Sequence, residues 1–153
     1  MRMYEKLNSL KKRLQQMKQN RTIRQNGQTF HFSPFSKKQK QVLTWWCKES
    51  PVHDKDGIIA DGAIRSGKTV SMSLSFVMWA MSSFAGQNFA MCGKTIGSFR
   101  RNVLFWLKLM LRSRGYSITD HRADNLVVVR KNSIENYFYI FGGKDERSQD
   151  LIQ

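Results

Sequence analysis

One stretch of the sequence has the residue types and spacing of a loop that holds phosphate groups. It consists of Gly62, Ala63, Ile64, Arg65, Ser66, Gly67, Lys68 and Thr69. These residues match the pattern G-x-x-x-x-G-K-[ST], in which glycines let backbone N–H groups turn towards an anion. In that pattern the lysine reaches the β- and γ-phosphates, and the Ser or Thr hydroxyl binds Mg²⁺. The loop therefore predicts binding of a nucleoside triphosphate with Mg²⁺; the alternative is a glycine-rich turn that binds nothing.

Arg65 lies inside this loop and has two possible roles. Its guanidinium could brace the phosphates or a neighbouring carboxylate, or it could be an exposed surface arginine.

Short apolar runs and helical patterns alternate around the loop. The predicted strands are residues 57–60, 88–92, 126–129 and 137–141, with a weaker one at 116–119; the predicted helices are residues 68–83 and 96–114. A further helix is predicted after Ser36, where Gln39 three residues on completes a capping-box pattern, and it would carry Val42, Leu43, Trp45 and Trp46. This order predicts an α/β sheet with helices on both faces.

The N-terminal segment differs in composition from the rest. Leu7, Leu10, Leu14 and Met17 recur at helical spacing among lysines and arginines. This pattern predicts a basic helix over the first 25 residues, which could be a loosely attached arm or a docking helix. We therefore divide the chain into an arm at residues 1–28 and a domain at residues 29–153.

The composition limits the partners and the compartment. The chain has 26 Lys and Arg against 11 Asp and Glu, a net charge of +15, which attracts polyanions such as nucleic acid or anionic lipid. A solubilising surface is the alternative. Its two cysteines, Cys47 and Cys92, form no metal-binding or disulfide pattern. We find no signal peptide or membrane span and expect a soluble intracellular protein.

Four segments of the sequence resemble a known family. They are FSPFSKKQKQVLTWW, GAIRSGKTVSMSLSFVMWA, MCGKTIGSFRRNVLFWL and IENYFYIFGGKDERSQDLIQ. Together they resemble the large subunit of tailed-phage terminases, the PBSX-type group most of all. The resemblance covers roughly residues 32–153 and adds little for the first 25 residues.

The resemblance implies a motor function. In this family an N-terminal P-loop ATPase domain drives double-stranded DNA into a procapsid, and a C-terminal nuclease domain cuts the DNA. It implies ATP and Mg²⁺ as cofactors, the small terminase subunit and the portal protein as partners, and the bacterial host cytoplasm as the location. Gly62–Thr69 then take the Walker A role, and Phe35 and Gln39 fall in the adenine-contacting segment. Gln39 also fits the capping box.

The acidic residues do not complete an ATPase site. A P-loop ATPase needs carboxylates for Mg²⁺ and for water, usually at the end of an apolar strand. Asp61 precedes the loop, and Asp145-Glu146 follow a strand only after Gly142-Gly143-Lys144. By resemblance, the Walker B strand would follow the last residue, and the nuclease acids are also missing. We therefore expect an incomplete sheet, exposed apolar surface, weak ATP binding and negligible hydrolysis.

Basic residues on the predicted helix at 96–114 are candidates for DNA contacts. They are Arg100, Arg101, Lys108 and Arg112, and solvated arginines are the alternative for most of them. A second GKT, at residues 93–95, could sense nucleotide or DNA, or could form a helix cap with a solvated lysine. Two other functions remain open: a non-catalytic DNA- or partner-binding module that keeps the P-loop fold, and a helicase or other P-loop ATPase.

Overall fold

A computed structural model describes residues 22–25, 28–31 and 33–143. The chain divides into two compact units, Met1–Pro34 and Phe35–Gln153. In the first unit, β1 (Thr22–Gln25) and β2 (Gln28–His31) form an antiparallel pair. The predicted N-terminal helix lies outside the described residues except at 22–25, where a strand replaces it. The intervening sequence is Asn-Gly, which strongly favours a two-residue hairpin turn.

In the second unit, the predicted capping box opens helix α1 (Lys37–Leu43). The Ser36 Oγ accepts a hydrogen bond from the Gln39 N–H at 3.3 Å, and the Gln39 Oε1 accepts one from the Ser36 N–H at 2.9 Å. The helix ends at Leu43, with Thr44 as its C-cap, so the two tryptophans at 45 and 46 lie in the turns that follow rather than in the helix. β-branched and aromatic residues lose side-chain freedom in a helix, which favours an early end here.

Helix α2 (Lys68–Ser83) follows the phosphate loop directly, as predicted. It packs against α1, and the Ser75 Oγ donates a hydrogen bond of 2.6 Å to the Val42 carbonyl oxygen. The ring centroids of Trp45, which follows α1, and Trp79, on α2, lie 6.0 Å apart. These contacts place the C-terminal end of α1 beside α2.

Four strands form the central sheet in the order β3-β6-β5-β4. They are β3 (Asn88–Gly93), β4 (Ser117–His121), β5 (Leu126–Lys131) and β6 (Ile134–Gly142). β3 runs parallel to β6, and the other neighbours are antiparallel. The predicted strands at 88–92, 116–119, 126–129 and 137–141 are thus confirmed, with small shifts of their ends.

The long helix predicted over residues 96–114 is interrupted by one π-helical turn. It comprises α3 (Ile96–Phe99), the π turn (Arg100–Leu104) and α4 (Phe105–Arg112). Thr95 caps α3 through a reciprocal capping box with Ser98, which confirms the helix-cap interpretation of the second GKT.

The strand predicted at residues 57–60 does not form. These residues have no regular secondary structure, and Ile59 is 98% exposed. A strand needs a ladder partner, and in the described part of the chain no strand pairs with this run. Sequence pattern alone detects the apolar run but not the missing partner.

The core lies between one face of the sheet and helices α2, α3 and α4. Phe138 is fully buried at its centre, with Phe76 of α2 and Phe89 of β3 as ring neighbours at 6.0 and 5.1 Å. Asn136 is also fully buried on this face. In the described residues, the helices that contact the sheet do so on this face, so the prediction of helices on both faces holds for one face only.

Candidate nucleotide-binding site

The phosphate loop contains three residues with positive φ angles. Gly62 and Gly67 have φ angles of 141° and 80°, which glycine adopts without steric cost. Arg65 also has a positive φ, 65°, which is uncommon for a residue with a side chain. The loop residues 61–66 are exposed. Residues 64 and 65 form a turn, which both the predicted phosphate loop and its alternative, a glycine-rich turn, would contain.

The Lys68 ammonium lies within this loop. Its Nζ donates hydrogen bonds to the carbonyl oxygens of Gly62 and Ala63 at 2.6 and 2.7 Å, and to the Ser66 Oγ at 3.3 Å. These bonds fix the charge inside the turn rather than out in solvent. The three ammonium N–H groups are thus used by the loop itself, and a bound phosphate would replace some of these acceptors.

The N-terminus of α2 adds a second favourable field for an anion. Gly67 is the N-cap, no side chain caps the helix, and the first turn contains no acidic residue. The first N–H groups of a helix have no intrahelical partner, and the helix dipole places partial positive charge there. A 16-residue helix, held in the core at its other end, thus directs free donors towards the loop.

Gln39 connects α1 to the loop. Its Nε2 donates a hydrogen bond of 2.9 Å to the Ser66 carbonyl oxygen, while its Oε1 completes the capping box. A Cβ atom added at Gly67 would lie 2.4 Å from that Nε2. Phe35, the other predicted adenine contact, is half-buried.

A cavity of about 570 Å³ adjoins the loop. Its walls include the polar side chains of Gln39 and Lys68 and the apolar side chains of Val42, Trp45 and Val52. Mostly apolar walls with a few polar groups, in a volume of some hundreds of Å³, are typical of small-molecule sites. The sequence analysis did not assign these three apolar residues to the site, because nothing in their spacing links them to the loop.

Asp61 is the single acidic residue among the residues that line this cavity. Its Oδ1 accepts a hydrogen bond of 2.7 Å from the Gly62 N–H, so this carboxylate already supports the start of the loop. Asp145 and Glu146, considered above as catalytic candidates, lie outside the described residues.

Thr69, the predicted Mg²⁺ ligand, is exposed and lines a second cavity of about 520 Å³. Lys94 of the second GKT lines the same cavity, together with residues of β3 and α3. In the part of the chain that the structure describes, no group of three or more His, Cys, Asp or Glu residues could hold a metal ion. Any Mg²⁺ at this site would therefore take most of its ligands from phosphates and water, as Mg²⁺ commonly does.

The four basic residues proposed as DNA contacts fall into two pairs. Arg100 and Lys108 both bind the Asp120 carboxylate, at 2.6 and 2.9 Å, and these three side chains are only 14–22% exposed. Arg100 also donates to the Asn125 Oδ1 at 3.4 Å. Arg101 and Arg112 are exposed.

Asp120 was not predicted as part of any site. Burial raises the pKa of its carboxyl, but the hydrogen bonds and charges of Lys108 and Arg100 outweigh burial and hold the pKa below its usual value. Asp120 lies on β4, and Arg122 lines the adjoining basic cavity with Arg100, Arg101 and Lys108. This pairing links segments distant in sequence, so no local motif marks it.

Among the described residues, no helix has the length and apolar composition needed to cross a membrane.

Comparison with solved structures gives close matches. The chain is 66% identical to the large terminase of a thermophilic bacteriophage, with a TM-score of 0.77 over 79% of this chain and 30% of that one. The same terminase in complex with ADP matches at 66% identity and a TM-score of 0.73, over 76% of this chain and 29% of that one. Its complex with ATP-γ-S matches at 63% identity and a TM-score of 0.70, over 74% and 28%.

No protein-family model matches the chain, and no curated protein gives a significant match. The chain spans less than a third of the length of the solved terminases. Because identity exceeds 60% over most of this chain, the comparison confirms the resemblance noted in the sequence: the chain belongs to the family of tailed-phage terminase large subunits and corresponds to part of its ATPase region.

Proposed function

We propose that this chain binds ATP through the loop Gly62–Thr69 and is the ATP-binding part of a terminase large subunit. The observation that carries the proposal is the position of the Lys68 ammonium inside the loop, next to the uncapped N-terminus of α2. Both features favour the β- and γ-phosphates of a nucleotide. The likeness to a terminase solved with ADP and with ATP-γ-S supports the same ligand class.

We propose Thr69 as the residue that would contribute a hydroxyl to Mg²⁺. An exposed threonine directly after the loop lysine has the chemistry that this ion accepts. When bound with the nucleotide, the ion would neutralise charge on the β- and γ-phosphates.

We propose that the chain contributes binding rather than turnover. Asp61 is the one acidic residue lining the cavity beside the loop, and its carboxylate is engaged with the Gly62 N–H. Among the described residues that line this cavity, no second carboxylate is present to hold Mg²⁺ or to activate water. Hydrolysis by the described residues should therefore be negligible.

In the whole motor, we propose double-stranded DNA as the substrate and DNA translocation into a procapsid as the activity. The net charge of +15 and the exposed Arg101 and Arg112 support contact with a polyanion. The small terminase subunit and the portal protein are the proposed protein partners, and the host cytoplasm is the proposed location.

The nucleotide proposal is tested by titrating the chain with ATP and Mg²⁺ in a calorimeter. Lys68→Ala should reduce binding below detection, because the loop loses the one cation that the structure places inside it. Lys48→Ala is the matched control, since it removes an exposed lysine that lines neither of the two cavities beside the loop and should leave the affinity unchanged.

Equal affinities of Lys68→Ala and the unmodified chain would contradict the proposal. Steep salt-dependent binding of duplex DNA with no response to nucleotide would instead favour a DNA-binding module that keeps only the fold. Phosphate release that disappears in Lys68→Ala would contradict the expectation of negligible turnover.

A further inference from the structure

The side chain of Gln39, which lies on α1 outside the loop, forms a hydrogen bond with the loop backbone. The two residues in the Gln39–Ser66 hydrogen bond are 27 positions apart, so the bond joins separate elements rather than neighbours in one turn. Its acceptor is a carbonyl oxygen of the phosphate loop itself, one residue before the N-cap glycine of α2. A hydrogen bond to this carbonyl oxygen restricts the backbone conformation of the loop.

The chemistry of the partners fixes which way the amide points. The Ser36 N–H can only donate, so it must face the amide oxygen; the Ser66 carbonyl can only accept, so it must face the amide nitrogen. Each end of the Gln39 amide is therefore used once, which leaves one N–H and one oxygen lone pair beyond these two bonds. A rotation that presented the amide to a nucleotide base would break the capping box, the loop contact or both.

Gly67 makes room for this contact. Its positive φ already favours glycine, and a Cβ here would lie within 2.4 Å of the Gln39 Nε2, closer than real contacts allow. The glycine before Lys68 thus serves both the turn of the loop and the approach of the Gln39 amide.

We propose that Gln39 is a positioning residue for the phosphate loop, which it holds in its anion-binding form through the Ser66 carbonyl. This proposal rests on the proposed nucleotide function and concerns the triphosphate, not the base. Gln39 fixes the loop on α1, and α1 is in turn fixed on α2 by the hydrogen bond from Ser75 to Val42. The loop is therefore held at Ser66 by Gln39 and, directly after Gly67, by its continuation into α2.

The test separates the triphosphate from the base by using ATP, GTP and inorganic tripolyphosphate, each with Mg²⁺. Gln39→Met preserves the length of the side chain but removes both the bond to the Ser66 carbonyl oxygen and the bond from the Ser36 N–H. We expect it to weaken all three ligands by the same factor, roughly 2- to 10-fold, which corresponds to one net hydrogen bond. Ser36→Ala is the matched control: it removes the capping hydroxyl and leaves the Gln39–Ser66 bond, so all three affinities should stay within about twofold.

A second measurement needs no nucleotide. Gln39→Glu keeps the acceptor for the Ser36 N–H but loses the donor to Ser66, so amide hydrogen exchange over residues 62–67 should be faster than in the unmodified chain. In Ser36→Ala the exchange over these residues should be unchanged. Circular dichroism on each variant checks that the fold is retained.

The outcomes are distinct. Loss of ATP affinity alone, with tripolyphosphate unchanged in Gln39→Met, would overturn the positioning role in favour of a contact with adenine. Unchanged hydrogen exchange in Gln39→Glu would overturn it as well. If the unmodified chain binds none of the three ligands, the proposed nucleotide function fails, and the exchange measurement still decides whether Gln39 holds the loop.

Discussion

The two ends of helix α2 differ in almost every physical respect. At its C-terminal end the buried Asn136 donates hydrogen bonds to the carbonyl oxygens of Ala80 and Phe84, at 3.2 and 2.9 Å. Phe84 and Trp79 stack edge to face there, 5.1 Å apart. At its N-terminal end the loop is exposed, and its described polar contacts come from Lys68, Asp61 and Gln39.

This contrast indicates a division of roles along one helix. Side chains that join α2 to the sheet determine the stability of the fold, because removing them exposes or empties buried space. Side chains at the open end should contribute little to stability, because their partners are partly solvated, and they are the ones that we propose bind the ligand. The buried end keeps the helix N-terminus in a fixed place beside the loop.

The largest expected effect comes from the buried end. Asn136→Ala should lower the free energy of unfolding by about 2–4 kcal/mol, because the Phe84 carbonyl oxygen and the Gln87 N–H lose their partner and the Ala80 carbonyl oxygen loses one of two. Chemical denaturation measures this loss. Asn102→Ala, at an exposed asparagine on the π turn, is the control and should change stability by less than about 0.5 kcal/mol. Similar losses of unfolding free energy in both variants would contradict the assignment of stability to the buried end of α2.

A smaller effect is expected at Asp120, a mostly buried carboxylate that pairs with Arg100 and Lys108. Asp120→Asn should lower the free energy of unfolding by about 1–3 kcal/mol at neutral pH, since Arg100 and Lys108 lose their charged acceptor. Urea denaturation of the two proteins at a series of pH values provides the measurement.

The pH dependence has a definite sign. The pKa of Asp120 is lowered in the folded state, so its contribution to stability is fully present above the pKa of the unfolded chain, about 4. That contribution is lost as the pH falls through the lowered folded-state pKa. The gap between Asp120→Asn and the unmodified chain should therefore be widest near pH 7 and narrow below about pH 4. A gap that stays constant across this range would show that the charge is not involved.

Most helices and strands of the fold could be predicted because their signals are local. The Ser36–Gln39 capping box, the apolar run of α2 and the strand at 88–93 each follow from neighbouring residues. The apolar run at 57–60 has the same local signal but forms no strand, because pairing depends on a partner elsewhere. The π turn at residues 100–104 was also not predicted, because the helical spacing of apolar residues does not indicate it.

The same limit applies to the site. The loop Gly62–Thr69 could be found from spacing, because its glycines and lysine act on one ligand within eight residues. The bond from Gln39 to Ser66 and the pairing of Asp120 with Arg100 could not, because each joins elements that only the fold brings together. Gln39 illustrates the difference: its capping role was visible in the sequence, and its loop contact was not.

The smallest expected effect concerns the exposed basic residues, and it tests the proposed DNA contact. Arg101→Ala should reduce the slope of log affinity against log salt for duplex DNA by about 0.9, the value for one lost phosphate contact. Lys108→Ala is the matched control and should change the slope much less, because its ammonium is paired with Asp120. Binding measured by fluorescence anisotropy across a salt series gives both slopes. Equal reductions of the slope in the two variants would mean that the Lys108–Asp120 ion pair opens on DNA. Exposure in the free protein would then not predict which basic residues contact DNA. No binding by the unmodified chain would rule out the DNA contact altogether.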